Sequence, residues 1–280
     1  GSLVDVQEGV LDGGSSANED WDSNLSSLNI ASGASITEIA YDPSQFDALT
    51  GSGSISFNGG STMTIGANNT AAGQYNSAGF AVFSGAISTS GALIKIGVGT
   101  QELSGANTYT GGTRANAGTL ILSGSHTYSG GATDFLSVNN VGAQNAVLKI
   151  TAGAHGFYDM PIAEAASSRG AVYQSGGTLT LNRAGSVSTM RLGSGANSYG
   201  YYRLSGGALS TAEIGIGADA RANTVCVMDI SGGTFDPEMF STVAGTKASL
   251  VLMHLRSRPK EMQAGVWTYE GGVVAAVRRF

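Results

Sequence analysis

One phrase recurs three times in this chain, as Tyr173–Leu179 (YQSGGTL), Arg203–Leu209 (RLSGGAL) and Asp229–Phe235 (DISGGTF). The Ser-Gly-Gly cores are spaced by 30 and 26 residues. Short runs that alternate apolar and polar residues follow them, which is the pattern of a half-buried strand. A glycine pair tolerates the positive φ angles that tight corners need. The spacing therefore predicts a β-solenoid, in which short strands stack on their counterparts one repeat away. A β-sandwich with glycine-rich turns is the structural alternative, but it leaves the repeat spacing without an explanation.

The composition excludes several classes of protein. The 280 residues include 43 glycines but only 4 prolines, so the chain is not a collagen. It is 41% hydrophobic with a net charge of −6, which is unlike a disordered tail and unfavourable for nucleic acid binding. The longest apolar run is too short to span a bilayer as a helix, and the single cysteine cannot form an internal disulfide.

The charges are distributed unevenly along the chain. The first 94 residues contain nine acids and no lysine, arginine or histidine, whereas six bases follow residue 244. This asymmetry indicates either two solvated ends or head-to-tail self-association of the chain. Helix signals are poor, and only Met160–Arg169 offers a plausible helix. Near the C-terminus, Val266–Tyr269 and Val273–Val277 flank a Gly-Gly pair and predict a β-hairpin.

The segment Gly91–Leu122 strongly resembles the autotransporter-associated β-strand repeat. It contains KIGVGT (95–100), LSGANTYTGGT (103–113) and NAGTL (116–120), and the middle phrase restarts at residue 123. The resemblance implies a right-handed parallel β-helix passenger of a Gram-negative bacterium, which is exported and then displayed at, or released from, the cell surface. It carries no catalytic signature, so it implies no active residue.

Together these observations predict an all-β, right-handed parallel β-helix with a C-terminal β-hairpin cap. The predicted parts are an acidic N-terminal cap at residues 1–47, solenoid repeats at residues 48–246, and a strand with the hairpin cap at residues 247–280. The predicted location is secreted or at the cell surface, in association with the outer membrane. We predict no transmembrane segment and no cofactor.

Stacking predicts two polar columns. Alignment of the three phrases places Tyr173, Arg203 and Asp229 in one column, where Arg203 and Asp229 can pair. The second column contains Thr180, Ser210 and Asp236. Such columns are either exposed polar ladders or a shallow site for a sugar or peptide, with Tyr173 as a stacking platform.

One segment near the N-terminus carries oxygen side chains at alternate positions: Asn18, Asp20, Asp22 and Asn24. This spacing is typical of calcium loops. The sixth position of such a loop is serine instead of glycine, and the twelfth is asparagine instead of glutamate. These four residues are therefore a weak calcium candidate, and an acidic cap loop anchored by Trp21 is the alternative.

Two classes of function remain open from the sequence. The first is a structural, adhesive or glycan-binding β-solenoid without catalysis, whose partner is a host or environmental glycan or glycoprotein. The second is a secreted hydrolase or lyase that acts on glycoprotein or polysaccharide with carboxylates, including an aspartic-type peptidase. The acids are scattered, and the tripeptides typical of aspartic peptidases are absent. No catalytic residue is therefore predicted.

Overall fold

The computed structural model describes residues 2–13, 21, 24–39, 44–57, 59–67, 81–183, 189–216, 223–242, 250–255 and 275–278. Side chains are described up to residue 236, except at residues 38 and 39. All regular structure in these ranges is β-strand. The strands are β1 Leu3–Val6, β2 Val10–Asp12, β3 Ser27–Ile30, β4 Ser35–Ile39, β5 Ser44–Phe46, β6 Leu49–Gly51, β7 Ser54–Phe57, β8 Thr62–Ile65, β9 Ala81–Phe83, β10 Ile87–Ser88, β11 Ala92–Lys95, β12 Thr100–Leu103, β13 Ala106–Asn107, β14 Thr113–Ala115, β15 Gly118–Leu122, β16 Ser125–His126, β17 Leu136–Val138, β18 Asn145–Ile150, β19 Ala154–Phe157, β20 Met160–Ile162, β21 Arg169–Gln174, β22 Thr178–Leu181, β23 Met190–Leu192, β24 Tyr199–Leu204, β25 Ala208–Ile216, β26 Val225–Ile230, β27 Thr234–Thr242, β28 Leu250–Leu255 and β29 Ala275–Arg278.

The strands form three parallel sheets. A twelve-stranded sheet takes its strands in chain order, β1-β3-β6-β9-β12-β15-β18-β21-β24-β26-β28-β29. Partner residues in neighbouring strands of this sheet are 19 to 32 residues apart in sequence. The order β10-β7-β4-β2 makes a four-stranded sheet, and a thirteen-stranded sheet runs from β13 to β5, with β27 paired to β25.

Alternation along each strand separates an inner face from an outer face. In the twelve-stranded sheet, the inner position is occupied in register by Leu148, Val172, Tyr202 and Met228, which are all almost fully buried. Burial of one such side chain contributes about 1.5–3 kcal/mol to stability. The apolar interior therefore holds the sheets together, and the intervening side chains face outward.

The Ser-Gly-Gly phrases form corners that stack on one another. The amide of Ser205 donates to the carbonyl of Gln174 over 2.8 Å, and the amide of Ser231 donates to the carbonyl of Leu204 over 2.9 Å. Gly207 has a φ of +79°, and a Cβ there would lie 2.2 Å from the carbonyl oxygen of Gly177. Both the conformation and the close approach require glycine at this corner.

The expected helix at Met160–Arg169 is wrong. Met160–Ile162 is strand β20, and Ala163 takes a left-handed φ of +57°. Ala163 directly follows β20, as Asn139 (φ +52°) directly follows β17 and Gly193 (φ +61°) directly follows β23, and both of these strands pair with β20. Asn139, Ala163 and Gly193 therefore form a column of left-handed corners. An α-helix cannot continue through such a corner, because it needs negative φ angles throughout.

The predicted C-terminal hairpin lies largely outside the described residues. Leu250–Leu255 pairs in parallel with Val225–Ile230, and Ala275–Arg278 pairs in parallel with Leu250–Leu255. A hairpin joins antiparallel strands, whereas every strand pair in the described ranges is parallel. Strand Val266–Tyr269 of that hairpin lies outside the described residues.

The predicted fold class, a right-handed parallel β-helix with a C-terminal hairpin cap, is corrected below by the similarity of residues 212–280 to a family of another kind. The described residues show an all-strand structure of parallel sheets without a helix. The boundaries predicted at residues 1–47, 48–246 and 247–280 remain predictions. Within the described ranges, no helix is long and apolar enough to cross a membrane.

Candidate functional site on the outer face

The outer face of the twelve-stranded sheet carries a column of polar side chains. The strand register pairs Tyr173 with Arg203 and Arg203 with Asp229. By backbone register alone, the same column continues to His254 and Arg278. The structure thus brings together the three residues that the sequence predicted as a binding site, and their role as binding residues remains a prediction.

Arg203 and Asp229 form an ion pair with a long distance between the charged atoms. Arg203 Nε lies 3.6 Å from Asp229 Oδ2, beyond the distance of a good hydrogen bond. The arginine side chain is 44% exposed and the aspartate side chain is 22% exposed. Within the described part of the chain, Arg203 Nε and Asp229 Oδ1 are buried atoms without a hydrogen-bond partner. Leaving such a group unpaired costs about 1–3 kcal/mol, and a hydrogen-bond donor that meets this oxygen after the side chain turns outward removes that cost.

Tyr201 lies beside Tyr173, Arg203 and Asp229, and it was not predicted from the sequence as a site residue. It lies two residues before Arg203 on β24, so both side chains face outward. Its ring centroid is 5.4 Å from that of Tyr173, with the rings inclined at 50°. Burial raises the pKa of the Tyr201 hydroxyl, as does the negative charge of Asp229, so the hydroxyl stays neutral at physiological pH. Tyr201 could have been found from the sequence, because residues 199, 201 and 203 alternate with residues 200 and 202 and therefore share one face of a strand.

We call Tyr173, Tyr201, Arg203 and Asp229 the platform. In the register of the sheet they occupy a grid of two rows, of which the first is Asp229, Arg203 and Tyr173. The second row is Val227, Tyr201 and Ala171. Neighbouring strands are about 4.8 Å apart, and residues two apart on a strand are about 6.6 Å apart. The platform is thus about the size of a fused two-ring heterocycle, with an aromatic surface at one corner and a carboxylate at another.

The second predicted column is also in register, since Thr180 pairs with Ser210 and Ser210 with Asp236. All three side chains are exposed. They offer hydroxyl and carboxylate oxygens at the surface.

Of the calcium candidates, Asn18, Asp20 and Asp22 lie outside the described residues. Asn24 is described, and its side-chain oxygen accepts a hydrogen bond from the amide of Ser26 over 3.0 Å. Among the described residues, no group of three or more His, Cys, Asp or Glu side chains could hold a metal ion.

A buried polar cluster inside the sheets was not predicted. His126 Nε2 lies 2.8 Å from Asp134 Oδ1, and the amide of Ser129 donates to Asp134 Oδ2 over 2.9 Å. His155, on the neighbouring strand, contacts the carbonyl of Ala152 through Nε2. Desolvation lowers the pKa of His155, the carbonyl of Ala152 opposes this shift, and His126 adds to it. The cluster is sealed from solvent and is therefore structural.

Lys95 is a second buried polar group. Its side chain is 2% exposed and occupies an inner position of β11, in register with Ile65 and Ala115. The ammonium donates to the carbonyls of Gly97 over 3.1 Å and Ala117 over 3.4 Å. Desolvation lowers the pKa of Lys95 to about 8. Because its protons are directed to the backbone oxygens of Gly97 and Ala117, Lys95 stabilises a corner.

Comparison with known proteins gave two kinds of similarity. Residues 93–122 and 115–135 match the passenger-associated transport repeat, which supports passenger repeats in this part of the chain. Residues 212–280 match the family described as pterin binding enzyme. The chain is 40% identical over 60 residues to a dihydropteroate synthase of Synechocystis sp.. That alignment covers 21% of this chain and 20% of the relative, so the chain spans about a fifth of the relative's length. No solved structure matched the chain.

These similarities correct two predictions. The structural, adhesive or glycan-binding role and the alternative hydrolase or lyase are both wrong, because the C-terminal quarter is similar to pterin-binding enzymes. The predicted glycan partner has no support once that role is removed. The same match overturns the predicted fold class. A β-helix with a terminal cap does not account for the similarity of residues 212–280 to pterin-binding enzymes.

Proposed function

We propose that this chain binds a pterin, and that the Asp229 carboxylate is the group that recognises it. Asp229 lies within the segment matched by the pterin-binding family. Its Oδ1 atom is the observation that carries the proposal, since it is a carboxylate oxygen without a hydrogen-bond partner among the described residues. The proposal concerns binding, because the chain spans only about a fifth of the dihydropteroate synthase that it resembles.

The chemistry of a pterin suits this carboxylate. The pyrimidine edge of the ring presents an amino group and a ring N–H side by side, which match the two oxygens of a carboxylate. Hydrogen bonds to a charged acceptor contribute about 1.5–3 kcal/mol, roughly twice as much as neutral ones. The ion pair with Arg203 is long at 3.6 Å, so Asp229 can turn to meet the ligand without losing a well-formed hydrogen bond.

The test is a titration of unsubstituted pterin with the full chain, followed by the fluorescence of the ligand. The unchanged chain should bind with saturation, and Asp229→Asn should weaken binding at least about tenfold, because an amide offers only one acceptor oxygen. Asp236→Asn is the matched control, since Asp236 directly follows the same repeat phrase but is exposed and lies in the thirteen-stranded sheet. Binding that Asp229→Asn leaves unchanged contradicts the proposal.

We further propose that the chain is a passenger-type protein of a Gram-negative bacterium, located at the cell surface or secreted. The transport repeats at residues 93–135 support this location. Accessibility of the chain to protease on intact cells tests it, and full protection until the cells are lysed contradicts it. Head-to-tail self-association remains a prediction from the charge asymmetry.

A further inference from the structure

We propose that Tyr201, with Tyr173 beside it, forms the wall on which the pterin ring stacks. This inference rests on the proposed pterin binding and adds the surface that positions the ligand. Tyr173 and Tyr201 both precede the segment that matches pterin-binding enzymes, so no comparison assigns them a role. The binding site is therefore built jointly by two parts of the chain.

The register determines how the wall and the carboxylate are related. Tyr201 and Asp229 are diagonal neighbours in the grid, which places their backbones about 8 Å apart. A ring system seated on Tyr201 therefore reaches Asp229 with its edge. The influence of Asp229 on the Tyr201 hydroxyl also indicates that the two side chains face the same space.

The neighbours of Tyr201 leave its ring accessible. Ala171 lies beside it on one strand and Val227 on the other, and neither has a polar group that would hold water in place. Tyr173 is 40% exposed and its ring meets that of Tyr201 at 5.4 Å, so the two rings form an inclined corner. Arg203 lies between Tyr173 and Asp229, where its planar guanidinium extends the surface. A flat, electron-poor heterocycle stacks well on such a corner.

Tyr199 provides a matched control. It lies on the same strand and the same outer face as Tyr201, and it is 39% exposed. It is two residues further from Arg203, however, and its register partners are Arg169 and Val225. Substitution of Tyr199 removes exposed aromatic area from the same face while all four platform residues are kept.

The experiment measures pterin affinity together with the circular dichroism that the bound pterin acquires from an asymmetric aromatic neighbour. Tyr201→Leu should weaken binding at least about tenfold and remove the induced signal. Tyr201→Phe should retain both, because the ring is kept, and Tyr199→Leu should match the unchanged chain. Tyr173→Leu, which alters only the exposed half of the corner, should reduce the signal and carries the test if Tyr201→Leu does not fold.

The outcomes separate the two proposals. Binding by the unchanged chain that persists in Tyr201→Leu and Tyr173→Leu, with the same induced signal, overturns the stacking wall and leaves pterin binding in place. Absence of binding by the unchanged chain overturns the proposed function and the wall together. Equal losses in Tyr201→Leu and Tyr199→Leu also overturn the wall, because they show a general effect of aromatic area.

Discussion

Residues 93–162 and residues 169–236 are built from the same kind of parallel strands, yet the buried polar cluster of the first and the platform of the second lie on opposite sides of the sheets. In the first region, Lys95, His126 and Asp134 are buried and directed to partners within the protein. In the second region, Arg203 and Asp229 face outward beside exposed tyrosines, and each has a buried atom without a hydrogen bond in the described ranges. Buried polar groups stabilise both regions, since Gln174 is also buried and donates to the carbonyl of Ala208, but the outward ion pair beside the tyrosines belongs to the second region.

The largest expected effect concerns a corner of the first region. Gly153 has a φ of +79°, and a Cβ there would lie 1.4 Å from the carbonyl oxygen of Gly124. Gly153→Ala should lower the free energy of unfolding by about 4 kcal/mol, since overpacking adds to left-handed strain. Urea denaturation followed by circular dichroism measures this loss.

Gly130→Ala is its control, because Gly130 has a φ of +91° but nothing within 4 Å of the added Cβ. Strain alone should cost about 1–2 kcal/mol there. Equal losses at the two positions would show that the stacked carbonyl of Gly124 is not the constraint.

The next effect concerns the buried carboxylate of the first region. Asp134→Ala leaves the His126 ring and the Ser129 amide without their acceptor, and Asp134 is fully buried. The free energy of unfolding should fall by about 3 kcal/mol. Asp236→Ala, at an exposed position, should change it by less than about 0.5 kcal/mol. If both variants unfold at the same urea concentration, the buried cluster has no structural role.

A smaller effect should appear as a dependence of stability on pH. The pKa of His155 is lowered in the folded state, so the unfolded chain binds a proton that the folded chain resists. His155 therefore makes its full contribution to the free energy of unfolding above the ordinary histidine pKa of about 6.5. This contribution declines as the pH falls toward 5. His155→Phe should make the urea midpoint less sensitive to pH between 7.5 and 5, in a series compared with the unchanged chain. An unaltered slope in His155→Phe would contradict the assignment.

Part of this architecture could be predicted from the sequence. The Ser-Gly-Gly phrases located corners that stack, and their alignment placed Arg203 next to Asp229 because register follows from equivalent positions. The helix at Met160–Arg169 was wrong because propensity does not reveal that Ala163 must turn a left-handed corner. The hairpin was predicted from Gly271-Gly272, which is a local signal, whereas the parallel pairing of Ala275–Arg278 with Leu250–Leu255 depends on distant residues.

The site shows the same limit. Tyr201 was missed because alignment on the serines directs attention to one column and ignores the column two residues earlier. The contact between His126 and Asp134 was missed because it depends on a loop that turns inward between two short strands. The wrong function followed from composition and repeats, which describe the architecture and do not reveal the similarity of residues 212–280 to pterin-binding enzymes.

The most direct test is a crystal structure of the chain with bound pterin. We expect ligand density over the Tyr201 ring, with the pyrimidine edge within hydrogen-bond distance of the Asp229 carboxylate and the contact between Arg203 and Asp229 broken. Density at another face of the molecule, or an undisturbed contact between Arg203 and Asp229 at saturating pterin, would contradict it.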